Sequence, residues 1–452
     1  MHRVHAGYTV LLPVAAERAA AASELLAELA AQPERLRFAQ STTTHFATIT
    51  ILPAQTYRGE PLPATLLFAT SFCGPARVHV RELVALMAEP LRAVFGCCEG
   101  FPERCSNDEL EAFLVARRSG DAFYSGMQNL SPLDVERHHE LREAIEGFLD
   151  ERQAEGSLPE TASGVRRAIQ SFVRSRPELA WVQESFAPPA GTWLALHWRT
   201  LIAGAIAVPV LAALVACSVA RIFVHDAMLG DVVEGGWIAV GLLVAFGLGL
   251  VLAIRDAERD QTYVAERQPD ALVRELAATQ NRPVVNEFTI VGPIKEEGTL
   301  RPLGLRMLLW LVARLAEGIP GLRAPIEIPT VATARWIAAD RGRRLVFISN
   351  YTNSAEGYVR DFIDVTAGAK NINLSFGFGR GYPKTRWIVD AGAITDPNAF
   401  SYVVAANQRP TAFWYGPYRN LSIDNIRVNR QIREGVLAKL DDDDARKWLL
   451  LL

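Results

Sequence analysis

The chain has no histidine after His225, no pair of cysteines at C-x-x-C spacing, and almost no net charge. Its 47 lysines and arginines against 50 aspartates and glutamates leave a formal charge of −3, which gives no electrostatic case for nucleic acid. Five cysteines, an odd number without scaffold spacing, point to a reducing compartment. No Gly-x-Ser-x-Gly elbow, His-Glu-x-x-His pair or Walker loop occurs, so those hydrolase, metalloprotease and phosphate-binding signatures are excluded. Met1 to Val10 contains no long apolar segment with a small-residue cleavage site, and no signal peptide is expected.

What the sequence does hold is repetition. Leu66-Leu67-Phe68 leads to Val80-Arg81-Glu82-Leu83, and Leu345-Val346-Phe347 leads by the same spacing to Val359-Arg360-Asp361-Phe362. Gly100-Phe101-Pro102 then answers Gly381-Tyr382-Pro383, and Ala122-Phe123-Tyr124-x-Gly126 answers Ala412-Phe413-Trp414-x-Gly416. Asn129-Leu130-Ser131 recurs as Asn420-Leu421-Ser422, and Leu141-Arg142-Glu143 as Ile432-Arg433-Glu434. Matches in one order imply internal duplication. A length of 452 residues suits two domains of about 150 residues plus linkers.

Half of the residues are hydrophobic, and the excess sits in two uncharged runs, Leu201 to Ala220 and Trp237 to Ile254. At about 1.5 Å per residue, each run with its flanks can cross a hydrocarbon core of roughly 30 Å. Arg221 to Gly236 between them carries Asp226, Asp231 and Glu234, while Arg199, Arg255 and Arg259 flank the other side. The positive-inside rule then places both large domains in the cytoplasm, on an inner (cytoplasmic) membrane. Small residues at Ala205, Pro209, Ala213 and Cys217, and at Gly241, Ala245 and Gly249, would let the two helices pack closely. Neither run has an ionisable residue at mid-depth, so the hairpin reads as an anchor and not a transport path.

Each copy reads as βαββαβ. Tyr8 to Pro13 and Glu287 to Pro293 are strand-like, followed by helical stretches from Glu17 to Ala31 and Leu303 to Leu315. Strand pairs follow at Thr43 to Leu52 with Thr65 to Phe72, and Val331 to Ala338 with Arg344 to Tyr351. Amphipathic helices come next, at Val78 to Val94 and Glu356 to Ala367, then a short fourth strand before each Gly-aromatic-Pro turn, Gly100-Phe101-Pro102 and Gly381-Tyr382-Pro383. The expected fold class is α+β: two tandem ferredoxin-like domains packed as an intrachain α/β barrel, with a two-helix transmembrane hairpin between them. The boundaries are 1–150 for the first domain with its helical tail, 151–198 for a linker with an amphipathic helix, and 199–256 for the hairpin. A second linker spans 257–284, the second domain with its tail 285–440, and an acidic, then apolar, carboxyl tail 441–452. The linker helix, Gly164 to Arg176, carries Arg166, Arg167 and Arg174 and suits either anionic lipid or its own domain.

His45-Phe46-Ala47, Leu66-Leu67-Phe68, Gly96-Cys97-Cys98-Glu99-Gly100-Phe101-Pro102 and Ala122-Phe123-Tyr124 resemble a bacterial group of the dimeric α/β-barrel superfamily. That superfamily includes the dye-decolourising haem peroxidases and chlorite dismutases. The resemblance covers both copies and leaves out the hairpin, and its motifs bear on fold more than on activity. It implies haem as a possible cofactor. Dye-decolourising peroxidases, however, use an axial histidine from the carboxyl-terminal half and a distal aspartate in Gly-x-x-Asp-Gly, and this chain has neither. In the resembling group a histidine often precedes the cysteine of the glycine turn, where this chain has Cys97.

Candidate pocket residues are His45, Cys97, Arg335, Trp336, Asn350 and Arg380. His45 lies on a strand whose same-face neighbours would be Ala47, Ile49 and Ile51, and its counterpart in the second copy is Ala332. It marks a one-sided pocket or a hydrogen-bonded core histidine. Cys97, Cys98, Cys105, Cys73 and His79 lack metal-ligand spacing, and buried cysteine is the ordinary reading; no metal is expected. Gly377-Phe378-Gly379-Arg380-Gly381 opens no helix, so its alternating glycines suit close approach on a strand better than phosphate. Arg335, Trp336, Asn350, Tyr351 and Arg380 form a polar-aromatic set whose arginines would meet a carboxylate or a peroxide. Phe413-Trp414-Tyr415-x-x-Tyr418-Arg419 would line a wall, flank the membrane or pack in the core.

The expected function is membrane-anchored, cytoplasm-facing binding of an apolar small molecule or a protein partner, with the lipid bilayer itself a partner. Two alternatives remain at this stage. One is a peroxidase-like oxidoreductase with haem on His45, His138 or His139. The other is a monooxygenase-like or isomerase-like barrel without cofactor. A cavity between the sheets reaching His45 or Arg335 would favour a pocket, and a filled interface would favour a scaffold.

Overall fold

The computed structural model describes residues 4–127, 129–184, 227–259, 269–280, 282–296, 300–318, 330–364, 372–374, 376–418 and 420–452. The protein is mixed α/β. Ten strands build two main sheets. They are β1 (His5–Pro13), β2 (Thr44–Leu52), β3 (Thr65–Cys73), β4 (Arg118–Ser119), β5 (Ala122–Ser125), β6 (Val285–Pro293), β7 (Val331–Ala339), β8 (Arg344–Thr352), β9 (Gln408–Arg409) and β10 (Phe413–Tyr415). The helices of the first half are α1 (Ala19–Ala31), α2 (Ala76–Phe95), α3 (Asn107–Ala116), α4 (Pro132–Ala154) and α5 (Ala162–Ser175). Those that follow are α6 (Ala227–Arg259), α7 (Asp270–Gln280), α8 (Arg301–Gly318), α9 (Ala355–Asp364), α10 (Pro397–Asn407), α11 (Ile423–Leu437) and α12 (Asp442–Leu449). Thr385–Arg386 and Asp390–Ala391 form a separate small hairpin, as do Gln55–Tyr57 and Glu60–Leu62.

The strand orders are β10-β2-β3-β1-β4 and β9-β6-β8-β7-β5. Each sheet therefore borrows one edge strand from the other half of the chain. β5, from the first half, pairs with β7, and β10, from the second, pairs with β2. The central strands β3 and β8 are buried along their whole length, as expected for strands covered on both faces. Helices α1 and α2 cover the outer face of the first sheet, with Leu83, Met87, Leu91 and Val94 of α2 on one helical stripe. Leu305, Leu308 and Leu309 of α8 do the same for the second. Leu52, Leu67 and Ala69 meet Val291, Ile337, Val346 and Ile348 between the sheets.

The registers match in detail. Phe68 lies opposite Ile49, and Phe347 opposite Trp336. Both sheets slip by one residue at the same place, so that His45 and Ala332 are the bulged residues. The borrowed strands correct the sequence alignment: Phe413 faces Ile49 while Ala122 faces Trp336. The structural match is thus Ala122 with Phe413, one residue from the sequence match of Ala122 with Ala412. Strands of three and four residues are too short for local similarity to fix their register, and the ladder fixes it instead.

The Asn-Leu-Ser repeats prove to be helix starts. Ser131 and Asp134 close a capping box on α4, and Ser422 and Asn425 close one on α11. These helices pack together through Leu141, Ile145, Ile432 and Val436, with Ile169 and Val173 of α5 beside them. The linker helix therefore lies on protein, with Arg166 Nε donating to the Gly435 carbonyl at 2.9 Å. The carboxyl tail docks on the same bundle, where Trp448 Nε1 donates to the Ile432 carbonyl at 3.1 Å.

One described helix is long and apolar enough to cross a membrane, Gly236–Arg259 within α6. The first expected span, Leu201 to Ala220, lies outside the described residues. The carboxyl end of α6 is fixed to the second half. Ala253 faces Gly304 of α8 so closely that a Cβ there would sit 2.5 Å away. Lys295 Nζ donates to the Ala257 carbonyl at 2.9 Å, and Arg301 Nε to Asp256 at 2.8 Å.

Candidate functional site

The sheets face each other across a layer that is polar at one end. There Arg335 of β7, 3% exposed, reaches into the first half. Its guanidinium donates to the Tyr8 carbonyl at 3.2 Å, the Thr9 hydroxyl at 3.1 Å and the Ser71 hydroxyl at 2.7 Å. Asp121, in the turn before β5, pairs with it at 3.6 Å and accepts from the Thr9 hydroxyl at 2.8 Å. Gly7 makes room for that carboxylate, since a Cβ there would meet Asp121 Oδ2 at 2.6 Å.

The other side of the layer carries a buried carboxylate held by hydroxyls. By strand register, Glu287 of β6 occupies the position of Gly7, Thr289 that of Thr9, and Thr48 that of Arg335. Glu287 accepts from the Thr289 hydroxyl at 2.6 Å, from the Thr411 hydroxyl, and from Thr48 at 3.5 Å. Burial pushes its carboxyl up, and these hydroxyls only partly oppose that. Burial likewise lowers the Arg335 guanidinium, against the pull of Asp121.

The six sequence candidates do not converge. Arg335 lies in this layer, as does Asn350, whose Nδ2 donates to Thr333 at 2.9 Å and whose Oδ1 accepts from Trp414 Nε1 at 2.7 Å. His45 is buried nearby, but the bulge removes it from the face of Ala47 and Ile49, which pack under the helices. Its Nδ1 lies 2.6 Å from the Tyr418 hydroxyl, and its ring is 4.3 Å from that of His5. Trp336 points to the outer side of the second sheet, against Phe347 at 5.1 Å. Cys97 sits in the turn after α2, beside α1, and burial raises its thiol. Cys98 is pushed up to about 12 by the same cause, so neither sulfur is activated. Arg380 is half-exposed and paired with Glu296 at 3.2 Å. Gly377 to Gly381 is a turn and not a strand, with Gly379 bridged to Ile294 as Cys98 is to Val14.

These surroundings do not fit a haem on the named histidines. His45 is fully buried, with its ring packed between those of His5 and Tyr418 at 4.3 and 6.0 Å. His138 stacks on Trp181 at 5.8 Å inside the helical bundle, and His139 pairs with Glu143 at 3.5 Å. His79 is held between the hydroxyls of Thr43 at 2.8 Å and Thr70 at 2.7 Å, and burial takes it down to about 3. Among the described residues, no three His, Cys, Asp or Glu side chains gather as metal ligands.

Sequence reasoning missed Asp121 and Glu287 as site residues, whereas Tyr418 belonged to the aromatic set expected to line a wall or pack in the core. A single acid inside the otherwise apolar run Glu287 to Pro293 was the available signal for Glu287. No known protein family, curated protein or solved structure matches the chain.

The remaining large feature is the surface around α6. Only 12% of its apolar window is buried, which sets it apart from a core helix. Trp237, Ile238, Leu242, Val244, Leu248 and Leu252 are exposed. Phe246 meets Trp310 of α8 edge-on at 6.1 Å, so α8 runs alongside the last turns of α6. At its end, Glu258 accepts from the Ile388 N–H at 2.6 Å and the Thr385 hydroxyl at 3.3 Å, while Arg255 lies 4.5 Å over the exposed Trp387 ring.

Proposed function

We propose that the chain is a membrane-anchored platform for binding or assembly, facing the cytoplasm from the inner membrane. It is built from two duplicated ferredoxin-like units that close into one intrachain α/β barrel. The matched strand orders, the paired bulges at His45 and Ala332, and the reciprocal loan of β5 and β10 support the duplication. They also accord with a distant relation to the dimeric α/β-barrel superfamily, here with both partners in one chain. The buried hydrogen bonds of Arg335 and Asn350 favour a rigid body over an internal reaction chamber.

The observation that carries the membrane reading is the exposure of α6 together with the fixing of its end. An apolar helix this exposed needs a non-aqueous neighbour. Helix α8 runs beside α6 from Asp256 to Phe246, so the exposed sides of the two lie next to each other. The outer face of α8, with Leu303 and Trp310, then rests against the bilayer as well. Trp387, stacked beside Arg255, lies where an interfacial tryptophan is favoured. The test is flotation with phosphatidylcholine–phosphatidylglycerol liposomes after an alkaline carbonate wash. The full chain floats, and a chain in which Leu242, Val244 and Leu248 are aspartate stays at the bottom. A wild-type chain released by carbonate contradicts the reading.

A further inference from the structure

The two halves differ where their outer helices meet. In the first, α2 and α3 pack closely: Phe113 lies 6.3 Å from Phe95 and 5.0 Å from Phe101. Arg81 of α2 clamps Glu111 of α3, with Nε to Oε2 at 3.2 Å and Nη2 to Oε1 at 3.3 Å. In the second half, α9 and α10 hold the equivalent places. Arg118 pairs with Val10 as Gln408 pairs with Ile290, and counting back from these residues puts Ser401 where Glu111 stands. Val359-Arg360 matches Val80-Arg81, so Arg360 is the counterpart of Arg81. The guanidinium is kept and its carboxylate is gone. No residue of α10 replaces it, since that helix, Pro397–Asn407, contains neither aspartate nor glutamate.

In place of that clamp there is a groove. A cavity of about 510 Å³ opens between α9 and α10, and its lining includes the polar Arg360, Ser401 and Asn398 and the apolar Phe288, Val359 and Val404. That volume lies within the usual roughly 300–1,000 Å³ range of small-molecule sites. The inner face of α10 still packs, since Phe400 and Val404 are buried as Leu110 and Leu114 are in α3. The groove is therefore a widened lip on a packed helix and not a detached element.

We infer that the groove between α9 and α10 binds a small amphipathic carboxylate, whose anion replaces, opposite Arg360, the carboxylate that Glu111 supplies to Arg81. The guanidinium fork meets a carboxylate through two N–H donors, and the Ser401 hydroxyl and Asn398 amide are placed to complete its shell. The apolar part of the ligand covers Phe288, Val359 and Val404. This deepens the binding reading above and is independent of the anchor. Loss of flotation with ligand binding intact removes the anchor alone, and the reverse removes the groove alone.

The test is equilibrium dialysis of 2-naphthoate against the full chain in phosphatidylcholine nanodiscs, with empty nanodiscs subtracted. Its uncharged analogue, 2-naphthalenemethanol, is the control. Wild-type protein binds naphthoate saturably and prefers it to the alcohol. Arg360→Gln weakens naphthoate about tenfold, the loss of roughly 1.4 kcal/mol, and leaves the alcohol unchanged. Ser401→Glu installs the first half's carboxylate and abolishes naphthoate binding, while Arg81→Gln has no effect. Absence of saturable binding up to about 10 mM, where any site would be weaker than about 3 kcal/mol, overturns the inference. Affinity unchanged in both Arg360→Gln and Ser401→Glu, or an equal loss in Arg81→Gln, overturns it too.

Discussion

The guanidinium of Arg335 and the carboxylate of Asp121 lie 3.6 Å apart, both buried, although they come from opposite halves of the chain. Asp121 stands at the start of the strand lent to the second sheet, and Arg335 lies on the strand that receives it. The ion pair thus closes the same joint as the exchanged strand. Removing one partner leaves the other charged and dry. Arg335→Met is expected to cost about 3–5 kcal/mol, measured as a loss in urea denaturation. The double variant Arg335→Met with Asp121→Asn should recover part of that loss, and strict additivity would mean that the two groups are not coupled.

Glu287 makes the opposite prediction. Its carboxyl is raised by burial, so the folded state favours the protonated form. The unfolded chain releases that proton at its ordinary, lower value. Stability from this group is present below the unfolded value and lost as pH rises toward the folded one. Glu287→Gln keeps a side chain of the same shape without the proton to lose. Its stability relative to wild type should therefore rise between pH 5 and pH 8. A variant destabilised more at pH 8 than at pH 5 would show that the buried acid is ionised.

His79 and His45 act in the acid range. Both are held neutral by burial, His79 down to about 3. Below the unfolded value of about 6.5 the unfolded chain takes up protons that the fold refuses, so stability is full above that value and falls with pH toward 3. For His79 the loss by pH 5 is about 2 kcal/mol, from the about 3 quoted for its folded value. His79→Gln should flatten this slope in urea melts at pH 7, 6 and 5. An unchanged slope would mean that His79 titrates normally in the fold.

Much of this fold was legible because its signals are local and repeated. The strand-like run Thr43 to Leu52 and the amphipathic helix at Val78 to Val94 each announce an element from neighbouring residues. The exchange of β5 and β10 was not legible, since a short strand carries no record of which edge it joins. The site residues fared unevenly for the same reason. Arg335 and Asn350 were singled out, but Trp336, next in sequence, must point to the opposite face of a strand. His45 escaped its expected face through a single-residue bulge. The contrast between Glu111 and Ser401 was present in the sequence, yet it emerges only once the register equates them.

The bond between helix and domain is testable at Glu258, which is 4% exposed and holds the Ile388 N–H and the Thr385 hydroxyl. Glu258→Ala leaves a buried amide unpaired, at a cost of about 1–3 kcal/mol. Hydrogen exchange should therefore quicken at Ile388 by roughly one to two orders of magnitude, with Val346 in the central strand unaffected. Unchanged protection at Ile388 would show that the hairpin is held by other contacts.

The membrane anchor is the claim on which the account most depends, and depth measurement by spin label tests it directly. In a chain whose five cysteines are replaced by serine, nitroxides are placed by Leu242→Cys on α6 and by Val389→Cys beside the hairpin tip, both exposed positions. In nanodiscs, the label at 242 should be open to dissolved oxygen and shielded from a water-soluble nickel chelate, and the label at 389 should report headgroup depth. Equal and high nickel access at both positions would place α6 in water and contradict the account.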